Sequence, residues 1–249
     1  MSTSILLIHG FPHDHRLWAP QLTAFGPTYN VLAPDLRGFG AGGPVPEVIP
    51  MEHYAADMLA LIDAQGTEKV VLCGLSMGGY VALAFLDLWP ERVSALILCN
   101  TRATADTEEG KAARIEVARN ALEKGMAVVA RGMVPKMLCE KTRREQPDLT
   151  SLVESMMAEQ PPAAVAAASR GMAQRPDRTA MLASISVPTL VITGDADELM
   201  PLPTSETMVA AIPGARLVVL PNAGHLSNLE APDAFNATVS GFLSSLPHA

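Results

Sequence analysis

Six short apolar runs, separated by amphipathic segments, constrain the fold of this chain more than any other feature of its sequence. The runs are continuously apolar and not alternating, which is typical of strands buried on both faces of a sheet. They cover residues 4–8, 30–34, 69–74, 95–100, 188–194 and 216–220. Segments with apolar residues at three- and four-residue spacing lie between most of them, namely residues 51–66, 77–90 and 232–246. This alternation predicts a mainly parallel sheet of about six strands with helices on both faces.

The alternation stops between residues 101 and 184, where no convincing strand can be identified. That segment contains no Phe, Tyr or Trp, and we expect helices around residues 106–124, 148–159 and 161–173. We therefore predict that residues 1–100 and 185–249 form one α/β core. Residues 101–184 would form a helical cap inserted between two strands of that core.

The net charge and the cysteines of the chain limit the partners and the cellular compartment that we expect for it. The formal net charge of −8 disfavours nucleic acids and anionic membranes as partners. No apolar run approaches the roughly 18 residues that span a bilayer, and the N-terminus lacks the basic region of a signal peptide. The three cysteines have no metal-ligand spacing. Cys73 and Cys99 end apolar runs and fit buried thiols in a reducing compartment. We expect a cytoplasmic protein that acts on a small molecule, in an oligomeric state that the sequence leaves unknown.

The stretch CGLSMGGY at residues 73–80 carries a G-x-S-x-G motif centred on Ser76. It follows a predicted strand and opens a predicted helix, the context in which a serine is held on a strained turn with its hydroxyl exposed. Glycines two residues before and after the serine allow neighbouring backbone to pass close by. Ser76 is therefore our candidate nucleophile, and the helix behind it offers free N–H groups to a developing oxyanion.

A serine nucleophile needs a base, and the base needs an orienting acid. The segment TGDADELMP follows the fifth strand, and NAGHLSNLEAP follows the last. Acid and then histidine, each in a loop after a strand, is the chain order expected behind such a serine. His225 is the predicted base, and three residues are candidates for the acid: Asp195, Asp197 and Glu198.

A cluster of histidines near the N-terminus admits two interpretations. Residues 8–18 read IHGFPHDHRLW, and they place His9, His13, Asp14 and His15 within seven positions. Such a density is compatible with a metal site. It is also compatible with a loop in which the His-Gly pair itself has a backbone role after the first strand.

At these motifs the chain resembles the α/β-hydrolase family over nearly its whole length. In that family the acid is the last residue of a G-x-x-D pattern with proline four residues later. Residues 194–197 and Pro201 match this pattern, so the resemblance implies Asp197 as the acid. It also implies that the N–H groups of Phe11 and Met77 bind the oxyanion, that His9 pins the loop, and that no metal or organic cofactor is needed.

The family resemblance also gives an expectation for one edge of the sheet. Family members commonly begin with a two-stranded hairpin, whereas only three residues precede the first strand here. We expect the hairpin to be missing and residues 29–36 to form one edge of the sheet. Within the stretch DLRGFG at residues 35–40, Arg37 is expected to be a buried ion-pair partner.

Among α/β-hydrolases the chain is most similar to 3-oxoadipate enol-lactonases and related carboxylesterases. This similarity rests on ILCNT at residues 97–101 and HLSNLEAP at residues 225–232, although the tryptophan usual in lactonase-like caps is missing. We predict a serine hydrolase that cleaves a small-molecule ester or lactone through an acyl-enzyme. The alternatives are a cofactor-free perhydrolase of the haloperoxidase type and a slow-turnover ligand receptor on the same fold.

Two substrate types remain open. The cap contains seven methionines, which provide an adaptable apolar wall and favour neutral esters with small to medium acyl groups. It also has thirteen basic against eleven acidic residues, so an arginine such as Arg102 or Arg114 could hold a carboxylate-bearing lactone. We expect the neutral ester.

Overall fold

A computed structural model describes residues 3–40 and 43–246 of the chain. Its centre is a six-stranded parallel sheet in the order β2-β1-β3-β4-β5-β6. The strands are β1 (Ser4–Ile8), β2 (Asn30–Leu32), β3 (Val70–Leu75), β4 (Val93–Cys99), β5 (Thr189–Gly194) and β6 (Arg216–Leu220). The predicted parallel sheet of six strands is confirmed.

Eleven α-helices connect and cover these strands within the described residues. They are α1 (Ala19–Phe25), α2 (Met51–Ala64), α3 (Met77–Leu88), α4 (Glu108–Lys124), α5 (Met126–Met137), α6 (Glu140–Glu145), α7 (Pro147–Ala158), α8 (Pro162–Gln174), α9 (Leu202–Ala211), α10 (Ser227–Glu230) and α11 (Pro232–Ser244). None of the described helices is both long enough and apolar enough to cross a membrane.

The sheet is buried on both faces because its strands alternate between two hydrophobic clusters. Leu6 and Ile8 of β1 pack with residues of α2, α3 and α9 on one face. Ile5 and Leu7 pack on the other face with residues of α1 and α11. Every residue of β1 is buried, which explains why its sequence is continuously apolar.

Strand β2 forms one edge of the sheet, as expected, and is shorter than the apolar run that predicted it. It contains only three residues and pairs with β1 alone. The run ends at Pro34, which has no N–H to donate to a neighbouring strand. The edge strand therefore stops before the proline.

Five helices, α4 to α8, lie between β4 and β5, and the described residues of this segment include no strand. The sequence of α4 explains where the helix begins. The Thr107 hydroxyl accepts a hydrogen bond from the Gly110 N–H at 3.2 Å, and Glu108 and Glu109 occupy the first turn. Helix α4 packs against α8, and α5 packs against α7 and α4. Buried side chains of α5, α7 and α8 continue both hydrophobic clusters of the core.

Candidate active site

Ser76 lies between the last residue of β3 and the first residue of α3, in a backbone conformation that few side chains adopt. Its φ and ψ angles are 55° and −113°. Its N–H donates to the carbonyl of Cys99 at 2.9 Å, and its carbonyl accepts the Thr101 hydroxyl at 2.7 Å. A positive φ in a non-glycine residue costs about 1–3 kcal/mol and persists only where the surroundings enforce it. These contacts from the end of β4 hold the strained turn.

The two glycines of the G-x-S-x-G motif are required by close backbone contacts. A Cβ atom on Gly74 would lie 2.3 Å from the carbonyl oxygen of Gly78. A Cβ atom on Gly78 would lie 2.0 Å from the carbonyl oxygen of Ile8. The motif therefore lets α3 start directly against the end of β1, and this places Ser76 beside the loop that follows β1.

The His-Gly loop lies over Ser76. A Cβ atom on Gly10 would come within 3.3 Å of the Ser76 Cβ. His9 Nε2 accepts the Leu36 N–H at 3.0 Å, and its Nδ1 lies 3.0 Å from the Gly10 carbonyl oxygen, so Nδ1 carries the proton. His9 thus links the loop to the segment after β2, in agreement with its expected role. Burial lowers the pKa of His9, and it lowers that of the enclosed His13 to about 3.

Asp197 and His225 form a buried hydrogen-bonded pair. His225 Nδ1 lies 2.9 Å from Asp197 Oδ2 and 3.1 Å from Oδ1, and a carboxylate can only accept, so Nδ1 carries the proton. The other two acid candidates, Asp195 and Glu198, are exposed. The structure therefore brings together Asp197 and His225, the pair implied by the family resemblance.

Three more hydrogen bonds hold the Asp197 carboxylate. Its Oδ1 accepts the N–H groups of Leu199 at 2.9 Å and Met200 at 3.0 Å, and its Oδ2 accepts the Asn100 amide at 2.8 Å. Burial acts to raise the pKa of Asp197, but the charge of His225 and these hydrogen bonds outweigh it and keep the pKa below its ordinary value. The carboxylate is ionised at neutral pH.

Sequence reasoning assigned no role to Asn100, although it occurs in the ILCNT stretch. It adopts a φ of 47°, and its amide also donates to the Gly224 carbonyl at 3.2 Å. Its Oδ1 accepts the Ser227 hydroxyl at 2.6 Å. Asn100 therefore links the loops that carry Asp197 and His225. A polar residue directly after an apolar strand was the available signal.

Ser76 and His225 line the same cavity, which has a volume of about 550 Å³. Phe11 contributes to its wall from the core, and Met77 is buried at the start of α3. Residues of α4 and α5 form another part of its wall. Of the seven methionines between residues 101 and 184, Met133 and Met137 line the cavity. A cavity of this size accommodates a small organic molecule.

Two further polar features of the N-terminal half bear on the sequence predictions: a group of possible metal ligands and the ion pair of Arg37. Asp14, His15 and Asp35 offer ligand atoms within 4.8 Å of one another, but Asp14 already binds Arg16 and Gln160. This group does not include His9 or His13. Arg37 pairs with Asp57, but half of the Arg37 side chain is exposed, so the expectation of a buried ion pair was wrong. The pair joins α2 to a surface loop.

Comparison with known proteins places the whole chain among hydrolases. The sequence model of the alpha/beta hydrolase family matches residues 5–238. A 3-oxoadipate enol-lactonase of Acinetobacter baylyi is 31% identical over 243 residues, covering 98% of this chain and 89% of that protein.

Two solved structures are similar over almost their full length. A thermophilic esterase from Thermogutta terrifontis superposes with a TM-score of 0.96 at 40% identity, covering 99% of this chain and 91% of that chain. The enol-lactonase of Burkholderia xenovorans superposes with a TM-score of 0.91 at 29% identity, covering 98% and 92% of the two chains. The expected fold class and the resemblance to enol-lactonases are confirmed.

Proposed function

This chain belongs to the alpha/beta hydrolase family and is a hydrolase of ester bonds, and we propose that it acts through an acyl-enzyme formed on Ser76. The observation that carries the proposal is the shared cavity. Ser76, in its strained turn, and His225, hydrogen-bonded to Asp197, both line it. The substrates are carboxylic esters or lactones.

The reaction proceeds in two halves. The Ser76 hydroxyl attacks the ester carbonyl while His225 Nε2 takes its proton, and the carbonyl electrons move onto the oxyanion. The N–H groups of Phe11 and Met77 stabilise that oxyanion. Collapse of the tetrahedral intermediate breaks the bond to the alkoxy group, and His225 returns the proton to the leaving alcohol. Water, deprotonated by the same histidine, then attacks the acyl-enzyme and releases the acid.

The role of Asp197 follows from its ionised state. As an anion that accepts the Nδ1 proton, it holds the His225 tautomer that leaves Nε2 free to act as a base. It also stabilises the imidazolium that forms when His225 takes the serine proton. The N–H groups of Leu199 and Met200 hold the carboxylate in place during both halves.

We also propose that residues 101–184 act as a cap that selects the substrate, over a core of residues 1–100 and 185–249. Helices α4 and α5 of this segment line the same cavity as Ser76. An acyl group attached to Ser76 would therefore extend towards these helices.

The proposal is tested by labelling and kinetics on aryl esters. A fluorophosphonate should attach to Ser76, and Ser76→Ala should abolish labelling and lower kcat by several orders of magnitude, because the three residues act as a unit. Labelling at another residue, with activity retained in Ser76→Ala, would contradict the assignment. Peroxide-dependent bromination exceeding ester hydrolysis would favour the perhydrolase, and turnover slower than once per hour would favour the receptor.

A further inference from the structure

The active-site cavity extends along helix α5, away from the catalytic histidine. The Leu226 N–H donates to the carbonyl of Met137 at 3.1 Å, so the last residue of α5 lies beside the loop that carries His225. Val128 and Gly132 line the same cavity from earlier positions of this helix. Because an α-helix rises about 1.5 Å per residue, Gly132 lies about 7.5 Å and Val128 about 13.5 Å from Met137 along the helix axis. The cavity is therefore elongated, with a catalytic end at Met137.

Apolar residues make up most of the wall that α4 and α5 form. They include Ala113 and Val117 of α4, and Val128, Val129, Met133 and Met137 of α5. Two polar residues of this wall, Arg114 and Asn120, already bind carboxylate groups of the protein. Lys136 directly precedes Met137 and therefore belongs to the catalytic end of α5. An apolar wall of this kind suits a hydrocarbon chain, because burial of apolar surface is favourable.

Gly132 is a glycine within α5 that neither its backbone conformation nor its packing requires. Its φ angle lies outside the left-handed region, and no atom of the described residues would lie within 4 Å of a Cβ atom at this position. By contrast, a Cβ atom on Gly110, which also lines the cavity, would lie 3.1 Å from the Asp106 Cβ. Glycine is less favourable than alanine inside a helix. What Gly132 contributes is open space in the cavity wall.

From this space we infer that Gly132 determines which acyl groups the site accepts, because it keeps the cavity open for a chain that extends from Ser76 along α5. The inference rests on the proposed ester hydrolysis and specifies its substrates. A side chain at position 132 would occupy the space that a long acyl chain needs. An acetyl group ends beside Ser76 and does not reach Gly132, whereas an octanoyl group is long enough to extend along α5.

Two aryl esters with the same leaving group compare a long acyl chain with a short one. The readout is kcat/KM for p-nitrophenyl octanoate divided by kcat/KM for p-nitrophenyl acetate. Gly132→Leu should lower this ratio about tenfold or more, because the leucine side chain and the octanoyl chain compete for one space. Gly132→Phe should lower the ratio further. A ratio within about twofold of the wild-type value in both variants would overturn the inference.

Two further variants separate the space at Gly132 from a structural role in α5. Ala127→Leu adds the same side chain at an exposed position of α5 outside the cavity wall, and it should keep the wild-type ratio. The alternative role of Gly132 is flexibility near Pro135, since proline disturbs the helix around it. Gly132→Ala should raise the urea midpoint of unfolding and lower the ratio less than leucine does. A lower midpoint with an unchanged ratio would show a structural role and contradict the inference.

A binding measurement separates this inference from the proposed function. Titration of the protein with octanamide, followed by calorimetry, should show an affinity that Gly132→Leu weakens about tenfold and Ala127→Leu leaves unchanged. If the wild type hydrolyses neither ester, the proposed function fails, and the octanamide titration still decides whether a long chain lies beside Gly132. If the esters are hydrolysed but octanamide binds equally to the wild type and Gly132→Leu, the inference alone fails.

Discussion

At the scale of single residues, Asp195 and Asp197 show how two carboxyl groups in one turn acquire different properties. Asp197 is buried against His225 and receives three further hydrogen bonds, whereas Asp195 is exposed. We expect Asp197→Asn to lower kcat for an aryl ester about 10⁴-fold, because the amide favours the wrong histidine tautomer. Asp195→Asn is the matched control and should retain nearly full activity. Equal losses in the two variants would contradict this assignment.

Asn100 provides a second prediction at this scale. Its amide donates to Asp197 Oδ2, so Asn100→Asp would replace a donor with a second carboxylate beside the pair of Asp197 and His225. The added negative charge favours a proton on that pair. The acid limb of the pH profile of kcat/KM should therefore move to higher pH, by about one unit or more.

The control for Asn100→Asp is Asn222→Asp, which adds the same charge at an exposed position that also has a positive φ. Its pH profile should match that of the wild type. A general loss of kcat in Asn100→Asp, with no displacement of the acid limb, would show that Asn100 is merely structural.

At the scale of elements, the junction of β1 and α3 depends on Gly78. A Cβ atom there would lie 2.0 Å from a backbone oxygen of Ile8, which no side-chain rotation can relieve. Gly78→Ala should lower the free energy of unfolding by about 1–3 kcal/mol or more and lower kcat, because the His-Gly loop must move. Urea denaturation and ester kinetics measure the two effects.

Gly241→Ala is the matched control within another helix. Nothing lies within 4 Å of a Cβ atom at Gly241 in α11, so alanine should raise the free energy of unfolding by about 0.5–1 kcal/mol. Activity should stay at the wild-type level. If both variants behaved alike, the close contact at Gly78 would not be the cause of its loss.

At the scale of the whole molecule, two buried carboxyl groups link distant segments and make stability sensitive to acid. Asp106 binds arginines of the cap, and Asp14 joins the loop after β1 to Gln160. Burial acts to raise the pKa of both carboxyl groups, but hydrogen bonds and the charges of nearby arginines outweigh it and lower each from 3.8 to about 2. A pKa that is lower in the folded protein contributes stability above pH 4 that is lost as the pH falls towards 2.

We therefore expect the free energy of unfolding to fall between pH 4 and pH 2, by about 2 kcal/mol for each carboxyl group. Urea denaturation at pH 7, 4, 3 and 2 measures this loss. Asp106→Asn should be less stable by about 3–5 kcal/mol at pH 7, since it leaves the buried Arg175 without its carboxylate partner, and it should lose less stability below pH 4. Parallel pH curves for the two proteins would contradict the role of Asp106.

Helix α5 is an element that local sequence patterns do not predict. It was not among the expected helices, because it contains Gly132, Pro135 and two adjacent valines, all of which disfavour helix in an isolated segment. Packing of Met126, Val129 and Met137 against the core stabilises it in the folded protein. The positions of Met133 and Met137 in the cavity wall could not be predicted for the same reason.

The sequence by itself determined the six parallel strands and a serine turn followed by an acid and a histidine in loops after later strands. These features depend on local periodicity and on chain order, which short-range patterns express. Only the tertiary structure decided that Asn100 binds Asp197, that Arg175 binds Asp106, and that Arg37 is exposed. These contacts join residues that are far apart in the chain or depend on how neighbouring elements cover a surface, and no local pattern encodes either.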